Sequence, residues 1–260
     1  MAEPDAVPLL SLHGVCKSFG GIQAVHAISF DVGAGESVGL VGPNGAGKTT
    51  LFNCVCGQLR HDEGDIYFNG ISLEGLPTYK RARLGIGRTY QKVEVFTDMS
   101  VRNHLMVAER ARRGEGRLWR DLLNLSKPTV DEAARVDGTL ELVGITHLAD
   151  VSVNALGLGH CRLVELARAL AAEPKFLLAD EPSSGLDVHE TAEVAAVLRT
   201  VQRERGTAVL LVEHDLTMVA EVVDRTIVMD LGSMLAEGSF DEVMANPLVR
   251  DAYLGQMGLA

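Results

Sequence analysis

Residues 42–50 read GPNGAGKTT and fit the phosphate-binding loop pattern G-x-x-x-x-G-K-[ST]. Gly45 and Gly47 have no Cβ atom, so the backbone can turn its N–H groups toward phosphate oxygens at a helix N-terminus, where the helix dipole favours anions. Lys48 adds a positive charge for the β- and γ-phosphates, and the Thr49 hydroxyl is the expected ligand of Mg²⁺. This stretch therefore predicts a site for a nucleoside triphosphate.

The residues on either side of the loop support this interpretation. The apolar stretch 37–41 predicts a buried strand, residues 48–56 predict a helix, and Gly57 is well placed to end that helix in a left-handed turn. The alternative is a glycine-rich turn that contains a lysine by chance. A strand before the loop and a helix after it are the context that the pattern requires, so we favour the nucleotide site.

The composition excludes several classes of protein. With 260 residues, of which 47% are hydrophobic, the chain can bury a large core, and disorder is excluded. A formal net charge of −11 argues against a binder of duplex nucleic acid, which usually has a basic surface. No apolar stretch approaches the roughly 18 residues that cross a bilayer, and residues 1–8 lack the features of a signal peptide. We expect a cytoplasmic protein without a nucleic-acid partner, which leaves docking on a membrane protein open.

The four cysteines show no sign of a metal or disulfide framework. Cys16, Cys54, Cys56 and Cys161 form no C-x-x-C pair and have no histidine at zinc-site spacing. Cys54 and Cys56 are two residues apart on the predicted helix, so they point to different faces. We interpret all four as reduced, mostly buried, small apolar side chains.

The N-terminal part of the chain predicts antiparallel strands. Residues 9–19 and 22–32 alternate in polarity and are joined at a turn, FGG, at 19–21. Residues 64–70 predict a further strand and the start of a hairpin. Phe19 lies at the first turn, where its ring either stacks on a nucleotide base or covers an edge of the core, and the residues alone do not decide between the two.

The middle of the chain predicts short elements and then helices. Residues 76–82 predict a short helix, residues 85–89 predict an extended segment that leads to Gln91, and a longer helix begins at Val101. Gln91 cannot titrate, which suits a ligand of Mg²⁺ and water, although most glutamines are ordinary surface residues.

An arginine-rich stretch follows. Residues 110–120 contain five arginines and predict a solvated arm between helices, with a role at a membrane surface as the alternative. Thr129 and Glu132 then have the spacing of a capping box, which predicts a helix that runs to about Val143 and stops at Gly144.

The C-terminal half alternates between helices and short apolar strands. The pattern predicts helices at 160–172, 188–202 and 216–223 and strands at 176–179, 208–212 and 226–229. Continuous apolar strands that alternate with amphipathic helices imply a parallel sheet covered on both faces.

Polar side chains follow two of these strands. Asp180 and Glu181 end the run FLLADE, and His214 follows the next strand. Because ligands bind at the carboxyl edge of a parallel sheet, we expect Asp180 to hold Mg²⁺, Glu181 to orient or deprotonate the attacking water, and His214 to reach the γ-phosphate. A hydrophilic strand end and a structural histidine are the alternatives. The segment Gly157-Leu158-Gly159, just before a predicted helix, is either a second anion site or an ordinary loop.

The ordered set of motifs resembles the ATP-binding subunits of ABC transporters over nearly the whole chain. Residues 42–50 match Walker A, Gln91 the Q-loop glutamine, residues 156–160 the signature segment, FLLADE Walker B, residues 183–187 the D-loop and His214 the switch histidine. The resemblance implies an α/β P-loop NTPase of ABC type, with a mixed or parallel sheet core, an N-terminal antiparallel β subdomain and an inserted helical subdomain. It implies a core formed by residues 1–92 and 171–260 and a helical subdomain at 93–170.

The resemblance also implies ATP hydrolysis and assigns the site residues. ATP would be bound by Phe19, Gly42, Pro43, Asn44, Gly45, Ala46, Gly47, Lys48, Thr49, Thr50, Gly157, Gly159 and Asp187. Catalysis would use Lys48, Gln91, Glu181 and His214, and Mg²⁺ would be held by Thr49, Gln91 and Asp180. In the family two subunits pair head to tail, so that each ATP lies between the Walker motifs of one and the signature helix of the other, which gives ATP a higher affinity for the closed state.

Finer similarities indicate a subfamily. The segments TTLFNCVCG, RTYQKVEVFTDMSVRNHL and ANPLVRDAYLG are similar to ATPase subunits of branched-chain amino acid importers, and residues 110–129 resemble the longer of their two ATPases. The implied partners are transmembrane permeases, a second ATP-binding subunit and, indirectly, a solute-binding protein, at the inner face of the cell membrane. The solute itself is not determined by this chain.

The signature segment departs from the family pattern. Where the family usually has Leu-Ser-x-Gly-Gln, residues 156–160 read LGLGH. Gly157 lacks a hydroxyl that would contact the γ-phosphate bound to the partner subunit, whereas Gly159 and the helix N-terminus keep their backbone donors. A lost hydrogen bond of roughly 1 kcal/mol would weaken that composite site a few-fold. We hypothesise that it is the slower of two sites in a heterodimer.

Other functions remain as alternatives. An ATPase of a lipopolysaccharide exporter has related motifs but generally lacks the extra stretch at 110–129. An ABC protein of DNA repair or chromosome organisation needs coiled coils or DNA-binding additions, for which 260 residues leave no room. A standalone kinase would leave Gln91, the D-loop and His214 unexplained.

Overall fold

A mixed six-stranded sheet forms the centre of the fold in a computed structural model, which describes residues 7–89, 99–113 and 129–257. Its strands are β3 (Ser37–Val41), β6 (Ile86–Arg88), β7 (Phe176–Asp180), β8 (Ala208–Val212), β9 (Arg225–Asp230) and β10 (Ser233–Gly238). Their order is β10-β9-β3-β8-β7-β6. All neighbours are parallel except β10, which pairs antiparallel with β9 at one edge. The parallel sheet predicted from the sequence is confirmed, whereas the sequence pattern did not predict β10.

A second, antiparallel sheet covers one face of the first. Its strands are β1 (Leu10–Phe19), β2 (Ile22–Val32), β4 (Glu63–Phe68) and β5 (Ile71–Ser72), in the order β2-β1-β4-β5. β1 pairs antiparallel with both β2 and β4. The predicted N-terminal antiparallel region is therefore confirmed, including the hairpin after residue 68.

Helices flank the sheets. They are α1 (Lys48–Cys56), α2 (Thr78–Leu84), α3 (Val101–Arg113), α4 (Val130–Val143), α5 (Leu158–Ala171), α6 (Val188–Arg205), α7 (Leu216–Val222), α8 (Phe240–Ala245) and α9 (Pro247–Met257). The capping box at Thr129 and Glu132 starts α4 as predicted, with both of its reciprocal hydrogen bonds formed. Gly57 and Gly144 end α1 and α4 in the left-handed conformation, also as predicted.

The central strands separate two hydrophobic cores. Phe176 and Leu178 of β7 pack in a core with α1 and the antiparallel sheet. Leu177 and Ala179 of the same strand pack in a second core with α3, α4, α5 and α6. Because successive side chains of a strand point to opposite faces, a strand buried on both sides has to be apolar throughout. This explains why β7 and β8 read as continuous apolar runs.

The helices α3, α4 and α5 are inserted between two strands that are neighbours in the sheet. β6 precedes them in the chain, β7 follows them, and the two strands pair in parallel. The inserted helices share one hydrophobic core with β7, β8 and α6. Their apolar side chains are therefore buried against these strands and this helix.

Two expectations were wrong. The signature helix α5 begins at Leu158 rather than at residue 160, because Gly157 takes an extended conformation and serves as its N-cap. Arg110 does not lie on a solvated arm: it is on α3, only 8% of its surface is exposed, and its Nε and Nη2 donate to Glu132 at 3.2 and 3.3 Å. These hydrogen bonds lower the pKa of the Glu132 carboxyl, and burial only partly opposes them. The rest of the arginine-rich stretch, residues 114–120, lies outside the described residues.

The four cysteines agree with their interpretation as small apolar residues. All are free, Cys16, Cys54 and Cys56 are buried, and Cys161 is half-buried. Burial raises the pKa of the Cys54 thiol to about 11. Within the described ranges, no helix has both the length and the apolar character needed to cross a bilayer.

Arg81 is a buried cation that holds the end of α1. Only 5% of its surface is exposed. Its guanidinium donates hydrogen bonds of 2.7–2.9 Å to the backbone carbonyls of Leu73, Leu76, Cys54 and Val55. The last two are carbonyls of the final turn of α1, and that of Cys54 also accepts from the N–H of Gly57 at 3.3 Å. Arg81 therefore connects the helix that follows the phosphate loop with α2 and the segment before it.

We expect Arg81→Met to lower the free energy of unfolding by about 3 kcal/mol, because it removes four hydrogen bonds between a buried cation and backbone carbonyls. Urea unfolding followed by circular dichroism measures the change. Arg83→Met is the matched control on the same helix, since Arg83 is exposed and the change should stay within about 0.5 kcal/mol. An equal loss in both variants would contradict the role of Arg81.

Candidate nucleotide-binding site

The phosphate loop connects β3 with α1, and its glycines are required by close backbone contacts. Gly42 and Gly47 have φ angles of 146° and 98°. A Cβ atom at Gly42 would lie 2.0 Å from the carbonyl oxygen of Met229, and one at Gly47 would lie 2.1 Å from that of Ala24. Gly47 is the N-cap of α1 and no side chain caps this end, so the first N–H groups of the helix remain for a ligand. The loop thus has the backbone geometry of an anion site.

Lys48 lies inside this loop. Its side chain is almost fully buried, and its Nζ donates to the carbonyl oxygens of Gly42 and Pro43 at 2.7 and 3.0 Å. Burial lowers the pKa of Lys48, and the negative charges of Glu181 and Asp180 partly offset this effect. In the described part of the chain, no carboxylate comes within ion-pair distance of Lys48, so a bound anion would relieve the cost of burying its charge.

The ends of β7 and β8 bring two predicted catalytic side chains together. Asp180 pairs with Val212 in the parallel register, and the N–H of Glu181 donates to the Val212 carbonyl at 2.8 Å. Oε1 of Glu181 then lies 2.8 Å from Nε2 of His214. Glu181 has a φ angle of 47°, a strained conformation for a residue with a side chain, which costs of order 1–3 kcal/mol and is typical of functional positions.

Glu181 and His214 line the same cavity as the phosphate loop. The cavity has a volume of about 190 Å³, and its lining residues are Ala24, Asn44, Gly45, Ala46, Gly47, Lys48, Thr49, Thr50, Glu181 and His214. The structure therefore unites the predicted phosphate-binding residues with the predicted general base and histidine. A larger cavity of about 500 Å³ lies elsewhere, between α2, α3 and α5. We assign the nucleotide to the smaller cavity, because the phosphate loop and the acid–base groups are there.

Asp180 and Thr49 carry oxygen ligands of the kind that Mg²⁺ prefers. Asp180 is 4% exposed, and burial raises the pKa of its carboxyl, with Arg88 opposing this effect. Thr49 is exposed at the first turn of α1. Within the described residues, no group of three or more His, Cys, Asp and Glu side chains could hold a metal by itself. One carboxylate and one hydroxyl, completed by ligand phosphates and water, are a usual way in which proteins bind Mg²⁺.

Several predicted site residues do not line this cavity. They are Phe19, Gly42, Pro43, Gly157, Gly159, Asp180 and Asp187. Phe19 is the last residue of β1, is 47% exposed, and has the Lys17 ammonium 5.4 Å from its ring centre. Asp187 is the N-cap of α6 and accepts a hydrogen bond from the Glu190 N–H at 2.9 Å. Gln91 lies outside the described residues.

The signature segment lies at the N-terminus of α5, and its first glycine is exposed. Gly157 is exposed at the N-cap of α5 and makes no side-chain cap, and a Cβ atom at this residue would meet nothing within 4 Å. Gly159, in contrast, is buried, and a Cβ atom there would lie 2.4 Å from Oε1 of Glu190. The departure from the family pattern at Gly157 thus leaves room for a larger side chain, whereas a side chain at Gly159 would have to displace the side chain of Glu190 on α6.

Sequence reasoning missed a carboxylate that shapes the site. Glu213 is 2% exposed and accepts hydrogen bonds from the N–H groups of Ser183 and His214 at 2.8 and 2.9 Å. It therefore joins the segment after Glu181 to the segment that carries His214. The sequence offered one signal: Glu213 is a carboxylate that follows a buried strand directly, as Asp180 and Glu181 do.

Two family models and several known proteins are similar to this chain. The family model described as "ABC transporter" matches residues 25–184, and the model described as "Branched-chain amino acid ATP-binding cassette transporter" matches residues 233–257. LivG of Salmonella typhimurium, described as a high-affinity branched-chain amino acid transport ATP-binding protein, is 37% identical over 252 residues, with 96% of this chain and 98% of LivG covered. BraF of Pseudomonas aeruginosa, which has the same description, is 35% identical over 255 residues, with 96% and 98% covered.

A solved structure extends the likeness to three dimensions. The ADP conformation of an ATP-binding cassette of an ABC transporter has a TM-score of 0.85 to this structure at 28% identity. The match covers 96% of this chain and 100% of that one. With a family model over more than half of the chain and relatives aligned almost end to end, the chain belongs to the ABC transporter family, as an ATP-binding subunit that hydrolyses ATP.

Proposed function

We propose that this chain binds and hydrolyses MgATP to drive the uptake of branched-chain amino acids, or of a similar small polar solute, through partner permeases. The observation that carries the chemistry is the contact of 2.8 Å between Glu181 and His214, in the same cavity as Lys48 and Thr49. The names of LivG and BraF and the match of residues 233–257 support the choice of solute.

The residues at the site have different roles in phosphoryl transfer. The N–H groups of the loop and the Lys48 ammonium bind the phosphates, and Lys48 exchanges the two carbonyls it now contacts for phosphate oxygens. Thr49 and Asp180 would hold Mg²⁺ together with Gln91, and the ion when bound neutralises charge that develops on the phosphates. Glu181 orients and deprotonates the attacking water, and His214 exchanges its present contact with Glu181 for a hydrogen bond to the γ-phosphate.

We also propose that the site is completed by a second ATP-binding subunit. The cavity, at about 190 Å³, is smaller than the about 300–1,000 Å³ of most ligand pockets. Gly157, Gly159 and Asp187 do not line it, which is expected if these residues serve the site of the facing subunit. Phe19, exposed at the end of β1, would stack on the adenine.

We propose that the chain is divided into a catalytic core and a helical part. Residues 1–92 and 171–260 would form the catalytic core, and residues 93–170 would form the helical part that carries the signature segment and contacts the permeases. This arrangement would hold the chain on the inner face of the cell membrane through its partners, with a solute-binding protein engaged indirectly.

Glu181→Gln tests the catalytic role. The amide keeps the size of the side chain but cannot accept a proton, so we expect phosphate release to fall at least about a hundredfold while ATP binding persists. The trapped ATP should also favour dimers, which light scattering after size-exclusion chromatography would detect. Glu141→Gln, an exposed carboxylate on α4, is the control. Normal turnover in Glu181→Gln, or a need for an acceptor substrate, would contradict the ATPase mechanism.

Gly157→Ser tests the signature departure in the assembled transporter. The site has room for the side chain, and a restored hydroxyl bond should raise ATP turnover roughly fivefold if this site is the slower one. Gly157→Ala fits the same space without a hydroxyl and should leave turnover unchanged. If serine gives no increase, or if alanine gives the same increase, the hydroxyl is not what limits this site.

Uptake by cells tests the solute. We expect deletion of the gene to reduce uptake of labelled leucine at micromolar concentration, and the wild-type gene to restore it. Lys48→Ala should fail to restore uptake because the phosphates lose their buried cation, whereas Lys80→Ala, an exposed lysine on α2, should restore it. Leucine uptake that does not depend on the gene would exclude branched-chain amino acids as the solute.

A further inference from the structure

The Arg88 side chain connects three elements around the nucleotide site. Its Nη1 atom donates to Oδ1 of Asn53 at 3.2 Å and to Sγ of Cys56 at 2.9 Å. Its Nη2 atom forms an ion pair of 3.5 Å with Oδ2 of Asp180. The guanidinium also lies over the Phe52 ring, with 4.7 Å between Cζ and the ring centre. One side chain at the end of β6 thus binds both α1 and the end of β7.

Two of the residues that Arg88 contacts, Asn53 and Asp180, are related to the proposed Mg²⁺ ligands. Asn53 follows Thr49 by four residues on α1, so the two lie on the same face of the helix, one turn apart. Asp180 is itself the proposed carboxylate ligand. Thr89, the residue after Arg88, adds a second link between β6 and β7, because its Oγ1 accepts a hydrogen bond from the N–H of Asp180 at 3.2 Å. The guanidinium of Arg88 therefore links the helix that carries Thr49 to Asp180.

We propose that Arg88 is a positioning residue for the Mg²⁺ site, which fixes Asp180 relative to α1 so that its carboxylate and the Thr49 hydroxyl can share one ion. This inference rests on the proposed function of the site. It deepens that function by assigning a residue that touches neither the nucleotide nor the metal.

Two effects of the guanidinium oppose each other. Its positive charge, 3.5 Å from Asp180, repels a second cation, whereas its contacts with Asn53, Cys56 and Oδ2 of Asp180 hold the carboxylate relative to α1. A planar group with several fixed donors is needed to bind Asn53, Cys56 and Asp180 at once, and the ammonium of a lysine cannot reproduce that geometry. Orientation should therefore outweigh repulsion, since residues that orient metal ligands commonly change metal affinity 10–100-fold.

The test measures binding of a non-hydrolysable ATP analogue to the purified full-length chain by calorimetry, once with Mg²⁺ and once with EDTA. We expect Arg88→Met and Arg88→Lys each to reduce the gain in affinity that Mg²⁺ gives by about tenfold, without a change in the affinity measured in EDTA. Arg83→Met is the control, because Arg83 lines the same 500 Å³ cavity as Arg88 but has no contact with Asp180.

Three outcomes would overturn the proposal. If Arg88→Lys keeps the full gain from Mg²⁺, charge rather than orientation matters. If Arg88→Met loses affinity equally in Mg²⁺ and in EDTA, Arg88 only stabilises the fold. If Arg88→Met binds Mg²⁺ more tightly, its charge merely repels the ion. A wild-type chain that fails to bind the analogue in either buffer would instead contradict the proposed function, and the proposal for Arg88 with it.

A second variant keeps the test decisive if the Arg88 variants do not fold. Asn53→Ala retains the Arg88–Asp180 ion pair and removes only one link to α1. It should reduce the gain from Mg²⁺ in the same direction as Arg88→Met but by less, and leave the affinity in EDTA unchanged. An unchanged gain from Mg²⁺ in Asn53→Ala would count against positioning through α1.

Discussion

The parallel pairing of β7 with β8 is the interaction on which the catalytic arrangement depends. Its register places Asp180 opposite Val212, and the Glu181 N–H continues the ladder by one more hydrogen bond. A slip of one residue would turn every side chain of β7 to the opposite face. The two cores would then lose their matched apolar surfaces, and the carboxylates would point away from the phosphate loop. Packing and chemistry are thus fixed by the same hydrogen bonds.

The sequence predicted the parts of the site that depend on local geometry. The loop glycines, the start of α1 at Lys48 and the capping box of α4 all reflect backbone requirements within a few residues, and such requirements leave a pattern of residue types. The approach of Glu181 to His214 was also expected, because strand ends in a parallel sheet meet at one edge. The assignment to a subfamily, in contrast, came from resemblance rather than from geometry.

Other features were out of reach because they depend on partners distant in the sequence. Arg81, Arg88 and Arg110 look like surface cations, yet each is bound by groups at least 22 residues away in the chain. The antiparallel edge strand β10 has only half-buried and exposed residues, so it lacks the apolar run that marks the central strands. The signature helix begins earlier than its apolar pattern indicates, because Gly157 and Gly159 carry no signal of polarity.

The strand order has a consequence for how the protein is made. β3 leads into the phosphate loop near the N-terminus, but both of its neighbours, β8 and β9, lie in the last quarter of the chain. On a translating ribosome, β3 must therefore wait for nearly the whole polypeptide before it can enter the sheet, and contacts of such sequence separation are slow to form. The nascent chain would expose an unpaired apolar strand during that interval, and such exposed strand edges favour aggregation.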